Sequence, residues 1–401
     1  MRTHMKRMLG YLLAITIFIS DIPIVVNAEE DTNLSSQSVE TVMETPESET
    51  EETTSSPEEA EIISELTEKR DETTKYFAMS DGTTKACIYP QNIHYFDEGE
   101  YKEIDNTLVK DTEKSKTYYK NKKNSFSVKI PENYGDDYIK FSDENGYVKF
   151  KLKGATNKKL EKIEKEQTKK NKDKTLVDNV NDKAIFKSVK ADVDIEYDVT
   201  GNKLKETIVL YKKTKKSFVF DVKTSAKKAL LNNDNSVSFY DEYGEEIYTI
   251  ESPYMVDSAG EYSNDIKTTL LGVGDSYTIT YKPNYEWLSA KERVYPVKID
   301  PTMFQAIYKE TVADTYVTNA QTASDTRGFW DIMNIGKRHT TTGGEQIVLR
   351  GLIKFNIPSE IGGNDCIVDA KLDLVHCNHE DYTTNNGIQI DVHELTQSFS
   401  E

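Results

Sequence analysis

The feature that most limits what this chain can fold into is a rhythm. From about Lys75 onward, short segments of alternating or β-branched character recur: ACIYP, IHYF, SFSVKI, YVKFKL, DVDIEYDV, ETIVLY, SFVFDV, SVSFY, EIYTI, SYTITY and VYPVKID. Turn-forming pairs separate them, among them Asp81-Gly82, Glu98-Gly99, Asn145-Gly146, Gly201-Asn202 and Tyr243-Gly244. Successive residues of a strand point to opposite faces, so segments of this kind bury one face and solvate the other. Many of them at a spacing of about 8–12 residues predict a mainly β chain, built as a sandwich or a related sheet fold. The 24 tyrosines push the same way, because aromatic residues suit a pleated, half-buried surface.

A second β region is expected after Pro301. In LRGLIKFNI, Leu349, Ile353, Phe355 and Ile357 share one face with Gly351 between them, and Arg350, Leu352, Lys354 and Asn356 share the other. In VDAKLDLV the expected buried set is Val368, Ala370, Leu372 and Leu374. The 401 residues accommodate two or three domains at roughly 100–200 residues each. We divide them into a leader (1–28), an acidic spacer (29–72), a β-rich region (73–302) and a β-sandwich (303–401) that is truncated at its C-terminal end.

The leader rests on a basic start (Arg2, Lys6, Arg7), an apolar run, and the small residues Val26 and Ala28 at the positions a signal peptidase reads. Cleavage is expected after Ala28. Asp21 and Pro23 interrupt the apolar stretch before it reaches the roughly 20 residues of a membrane span, so no membrane association is expected after cleavage. The spacer that follows is rich in Glu, Ser, Thr and Pro. Residues 29–68 hold fourteen acidic residues and no Lys or Arg. Such a segment cannot bury enough apolar surface to offset its chain entropy, so 29–72 is expected to be a disordered spacer. One further charged stretch, 156–174, has Leu160 and Ile163 as its only apolar residues and is expected to be an exposed helical or disordered insertion.

The net charge of −18 argues against a nucleic-acid partner, which calls for a basic footprint. No nucleophile elbow, phosphate loop or dinucleotide fingerprint is present, and no carboxylate pair stands out in so acidic a chain. We therefore expect no catalytic residue, no cofactor and no enzyme. The best metal candidate, His376-Cys377-Asn378-His379, lacks a matching ligand pair, so no metal is expected and a polar turn is the better reading. Cys366 and Cys377 would lie about 36 Å apart on one strand, whereas a bridge needs Cα atoms within about 7 Å. Free cysteines are expected.

At this point the motifs resemble a known family. SDGTTKACIYPQNIHYFDEGEYKEIDNTL (80–108), DVDIEYDVTGNKLKETIVLY (192–211), ESPYMVDSAG (251–260) and WLSAKERVYPVKIDPT (287–302) resemble the N-terminal region of secreted Rhs/YD-repeat and wall-associated proteins of Gram-positive bacteria. Tyr101 departs from the pattern, since that family often shows Trp there. Residues 311–396 resemble a DNRLRE domain, matching at Asp314, Tyr316, Val317, Gly336, Arg350, Lys354, Phe355, Ala370 and Leu372. The resemblance implies a jelly-roll-like sandwich related to carbohydrate-binding modules, and an extracellular or cell-wall location. It makes a non-catalytic segment presenting downstream repeats or an effector domain the leading reading. The rival is an ancillary segment of a polysaccharide-degrading enzyme, and a scaffold with no ligand stays open. On the DNRLRE-like module, Arg350 and Lys354 offer cations to an acidic wall or extracellular polysaccharide. Trp330 offers a stacking ring.

Overall fold

The computed structural model describes residues 15–20, 60–165, 174–175 and 177–305. Beyond these it describes 312–318, 335–339, 346–355, 357–359, 361–362 and 365–372. The chain is mainly β, in antiparallel sheets. Each of the eleven segments read from the sequence as strands contains one.

Two large sheets form the body of the molecule. One has eight strands in the order Ile266–Val273, Ser276–Pro283, Phe218–Thr224, Gly146–Leu152, Ile139–Asp143, Ser127–Pro131, Lys116–Lys123 and Asp105–Glu113. The other has eleven, with Lys162–Lys165, Asp182–Lys190, Val193–Val199, Lys203–Leu210, Thr302–Gln305 and Glu246–Ile250 along its main path. One apolar core joins them. Val128, Phe141, Val148 and Phe220 come from the first sheet, and Phe186, Ile195, Ile208 and Tyr248 from the second. Alternation explains the assembly: in Gly146–Leu152 the buried residues are Val148, Phe150 and Leu152, with half-buried residues between them. The main β-sandwich therefore lies at about 105–305, almost wholly in the region read simply as β-rich. The expected boundary at 302/303 falls inside the strand Thr302–Gln305, which belongs to the second large sheet.

Lys203–Leu210 organises that sheet. All eight of its residues are buried. One edge pairs with Val193–Val199. The other pairs with Val297–Asp300 at Ile208–Leu210 and with Thr302–Gln305 at Lys203–Lys205. Pro301, which has no N–H to give a ladder, stands between these two short strands.

A smaller layer precedes the sandwich. Ile62–Glu65, Thr74–Met79 and Thr84–Ile88 pair in sequence order, and His94–Asp97 forms a hairpin with Glu100–Glu103. Glu98 and Gly99 at its tip have φ of 54° and 89°, the doubly left-handed turn that matches the twist of a two-residue hairpin. Phe77, Met79, Cys87, Tyr89, Ile93 and Ile104 form a second, smaller core. Ile15–Ser20 also pairs with Thr84–Ile88 and with Cys366–Leu372. These residues lie in the segment read as a leader.

The reading of 29–72 as a disordered spacer is corrected in its described part, since Ile62–Glu65 pairs with Thr74–Met79 and Thr67–Lys69 forms a 3-10 helix. Three further expectations are corrected. The charged stretch 156–174 is neither helix nor simple excursion in its described part. Lys158–Lys159 pairs with Asn133–Tyr134, and Lys162–Lys165 pairs with Asp182–Lys190. Leu160 packs on the main core, and its N–H donates to the Glu132 carbonyl at 2.7 Å. One apolar anchor and open backbone donors are enough to hold a polar segment on a sheet edge. The second correction concerns VDAKLDLV. Val368 is 48% exposed, Ala370 is exposed and Leu372 is half-buried, because among the described residues no second layer covers this strand. Leu374 lies outside the described residues. The third is Ile357, which lies beyond the end of Gln346–Phe355 and is exposed rather than on its inner face.

Candidate functional site

The residues that carry the family resemblance converge on buried charge. Lys205 Nζ lies 2.7 Å from Asp300 Oδ2, with both side chains 5% exposed. Tyr254 Oη donates to the same oxygen at 2.5 Å, and Thr302 Oγ1 donates to Oδ1 at 2.8 Å. Burial pushes the Asp300 carboxyl up. The Lys205 charge and hydrogen bond, with the two hydroxyls, outweigh burial and hold it below the usual carboxylate range. Segments 192–211, 251–260 and 287–302 meet in this one cluster.

A second lock joins two of those segments. Arg293 Nη1 donates to Asp257 Oδ2 at 2.7 Å, and both side chains are buried. The guanidinium lies 3.5 Å from the centre of the Trp287 ring, and its Nε donates to the Trp287 carbonyl. Asp257 also accepts backbone N–H groups from Ala259, Glu261 and Val294. Arg suits this place because its planar fork satisfies a carboxylate and stacks on a ring at once.

Alternation along Lys203–Leu210 places Glu206 on the same face as Leu204, Ile208 and Leu210, which belong to the main core. Tyr197 Oη donates to Glu206 Oε1 at 2.6 Å, and Tyr134 Oη lies 3.3 Å from Tyr197 Oη. Burial pushes the Glu206 carboxyl up to about 8; the Tyr197 hydrogen bond opposes this and the Asp300 charge adds to it. The group is enclosed within the sandwich.

A different arrangement sits in the smaller layer. Glu65 ends one strand, and His94 and Glu103 face each other across the 94–103 hairpin. One ligand-type atom from each lies within 4.8 Å of the others. His94 is fully buried, and its Nδ1 lies 2.7 Å from the Asp71 carbonyl. A carbonyl only accepts, so Nδ1 carries the proton and Nε2 presents its lone pair. Among the described residues Nε2 has no hydrogen-bond partner. Burial lowers the His94 pKa to about 4; the Asp71 carbonyl opposes that, and the charges of Arg70 and Lys75 add to it. The imidazole is neutral at pH 7. Arg70 Nε donates to Glu65 at 2.6 Å, and Lys75 Nζ donates to Glu103 at 2.6 Å. Burial raises the Glu103 carboxyl, but Lys75 and Arg70 outweigh it and leave it below its ordinary value.

Of the residues expected to touch glycan, Arg350 and Lys354 lie on Gln346–Phe355, opposite Val317 and Ala313. Both are exposed, four residues apart on one face. Trp330, the cleavage residue Ala28, and His376, Cys377 and His379 lie outside the described residues. Cys87 is buried, and Cys366, half-buried, is in no disulfide among the described residues. Sequence reasoning missed the Glu65, His94 and Glu103 group. Its members are scattered over nearly forty residues with no ligand spacing, and only the hairpin register aligns two of them.

No protein-family model matches the chain, and no solved structure does. Curated relatives do match. The chain is 25% identical over 363 residues to "tRNA nuclease WapA" of Bacillus subtilis (strain 168), covering 85% of this chain and 15% of that protein. It is 26% identical over 363 residues to "tRNA3(Ser)-specific nuclease WapA" of Bacillus spizizenii, with the same coverage. It is 25% identical over 209 residues to "Wall-associated protein" of Geobacillus stearothermophilus, covering 51% of this chain and 79% of that protein. The chain thus spans about 15% of the length of the two nucleases.

These relatives agree with the extracellular or cell-wall location and with the likeness to wall-associated proteins. They add nothing to the likeness of 311–396 to the DNRLRE family. They overturn the expectation of no enzyme, since relatives matched over most of this chain are named as nucleases. A motif search confined to one stretch does not reach chemistry that belongs to proteins of which the stretch matches 15%.

Proposed function

We propose that this chain is part of a wall-associated bacterial protein with nuclease activity toward tRNA, and that its sandwich at about 105–305 is a rigid β platform of that protein outside the cell. The likeness to the WapA relatives over 85% of the chain carries this reading. Supporting it, the segments that resemble wall-associated proteins are locked to one another by two buried ion pairs, Lys205–Asp300 and Arg293–Asp257. A platform held outside the cell benefits from charges that solvent and salt do not reach. The test is fractionation of the producing cells, followed by incubation of the intact exported protein with total tRNA. Recovery in the wall or medium with tRNA cleavage is expected. Retention inside the cell, or intact tRNA after prolonged incubation, would refute it.

A second reading concerns the three-stranded sheet around Gln346–Phe355, and the joint exposure of Arg350 and Lys354 favours it. Here the same protein rests on an acidic wall polysaccharide through these two cations, with Trp330 as a stacking ring. Binding to uronate-containing polymers or peptidoglycan should weaken in Arg350→Ala, Lys354→Ala and Trp330→Ala. Equal binding by these variants and the parent would remove the reading.

A further inference from the structure

The small layer in front of the sandwich holds an arrangement that the platform role does not use. A buried imidazole is ordinarily satisfied at both nitrogens. His94 is satisfied at one only: Nδ1–H is fixed on the Asp71 carbonyl, while Nε2 is enclosed and, among the described residues, unpartnered. One ring nitrogen of His94 and one carboxylate oxygen each of Glu65 and Glu103 lie within 4.8 Å of one another. A ring whose outer N–H is held by a carbonyl and whose inner nitrogen is bare is the posture of a metal-ligating histidine. The Asp71 contact sets the tautomer, the hairpin register sets Glu103 opposite His94, and the end of Ile62–Glu65 brings in Glu65.

We propose that Glu65, His94 and Glu103 form a binding site for a divalent transition-metal ion of the zinc class, with His94 Nε2 and one oxygen of each carboxylate as ligands. One nitrogen and two oxygens are a borderline donor set of the kind zinc accepts, and three protein ligands leave a fourth position open. Lys75 and Arg70 neutralise the two carboxylates in this structure. Lys75 is the group a metal displaces, because its Nζ holds Glu103 directly and approaches Glu65 at 3.9 Å. Its flexible stem lets the ammonium swing away. Arg70 remains on Glu65 and orients it, as partners behind metal ligands do. The site is therefore gated by a lysine, and its affinity depends on how firmly Lys75 is held.

The test uses the whole chain, stripped with a chelator and titrated with Zn²⁺ by calorimetry and with Co²⁺ by visible absorption. One ion per chain is expected, with a Co²⁺ spectrum of low coordination number. Glu103→Gln, at a side chain 58% exposed, should fold and weaken binding at least tenfold. Lys75→Met should tighten binding at least tenfold by removing the competitor. His94→Gln should abolish the Co²⁺ bands; if that variant fails to fold, Glu103→Gln and Lys75→Met decide the matter. Absence of binding at roughly 1 mM metal, unchanged affinity in Glu103→Gln, or weaker binding in Lys75→Met would each overturn the site.

Discussion

Replacing Glu206 by Gln should make the protein more stable at alkaline pH and leave it nearly unchanged at pH 5. Glu206 sits on the core face of Lys203–Leu210, with Leu204 and Ile208 as its strand neighbours on that face and Tyr197 Oη at 2.6 Å. Its folded pKa is raised to about 8, from an unfolded value near 4.5. A carboxyl raised on folding holds its proton in the native state while the unfolded chain has lost it. Its contribution is fully present below the unfolded pKa and is lost as pH rises through the folded one. Native stability attributable to this residue therefore falls between about pH 4.5 and pH 8. Three to four pH units at about 1.4 kcal/mol each give a loss on the order of 5 kcal/mol. Gln keeps an acceptor for Tyr197 and carries no titrating proton. Urea denaturation of parent and Glu206→Gln at pH 5, 6, 7, 8 and 9 measures the difference, and subtraction cancels other titrating groups such as Asp198. The gap should open from near zero to several kcal/mol, which for a domain of about 200 residues corresponds to a Tm difference on the order of 10 °C. A gap that stays constant with pH, or a variant less stable at pH 9, would refute the reasoning.

Lys205→Met leaves the Asp300 carboxylate buried without its cation, a change that costs about 3–5 kcal/mol. Lys205 is what holds Asp300 below the usual range against burial, so without it the carboxyl takes up a proton more readily; the deficit is full where Asp300 stays ionised in the variant and shrinks as pH falls, which pH-dependent denaturation reads directly. Gly201→Ala would place a Cβ 1.8 Å from the Asn92 carbonyl oxygen, so the 92 loop must move away from the sandwich. Faster proteolysis near residue 92, with the sandwich still folded, is the expected readout. Mass spectrometry of the exported protein should find Glu29 as its first residue; a chain beginning at Met1 would disprove the leader.

Strand positions in this protein were largely legible from local pattern, and the reason is physical. A strand with one wet face and one dry face must alternate, as Val148, Phe150 and Leu152 do. Strands with weak alternation escaped. Lys116–Lys123 reads KTYYKNKK, yet Tyr118 is buried, and a salt-bridge row holds the remainder: Lys120 and Lys129 share Glu113. Lys158–Lys159 and Lys162–Lys165 escaped for the same reason, since a sheet edge supplies backbone partners that side-chain composition does not advertise.

The sequence by itself determined that the chain would be built of short antiparallel strands, because period-two burial is written into neighbouring residues. It also marked the segments around Asp300, Asp257 and Lys205 as alike to wall-associated proteins. Only the tertiary structure decided what those residues do. Lys205 meets Asp300 across 95 positions through the pairing of distant strands, and Glu206, a polar residue by composition, is carried into the core by its place in the alternation. His94 has no nearby partner in the sequence. Its bare nitrogen becomes meaningful only when the hairpin sets Glu103 opposite it and an earlier strand ends at Glu65, because ligand geometry is a property of folded distance and not of spacing along the chain.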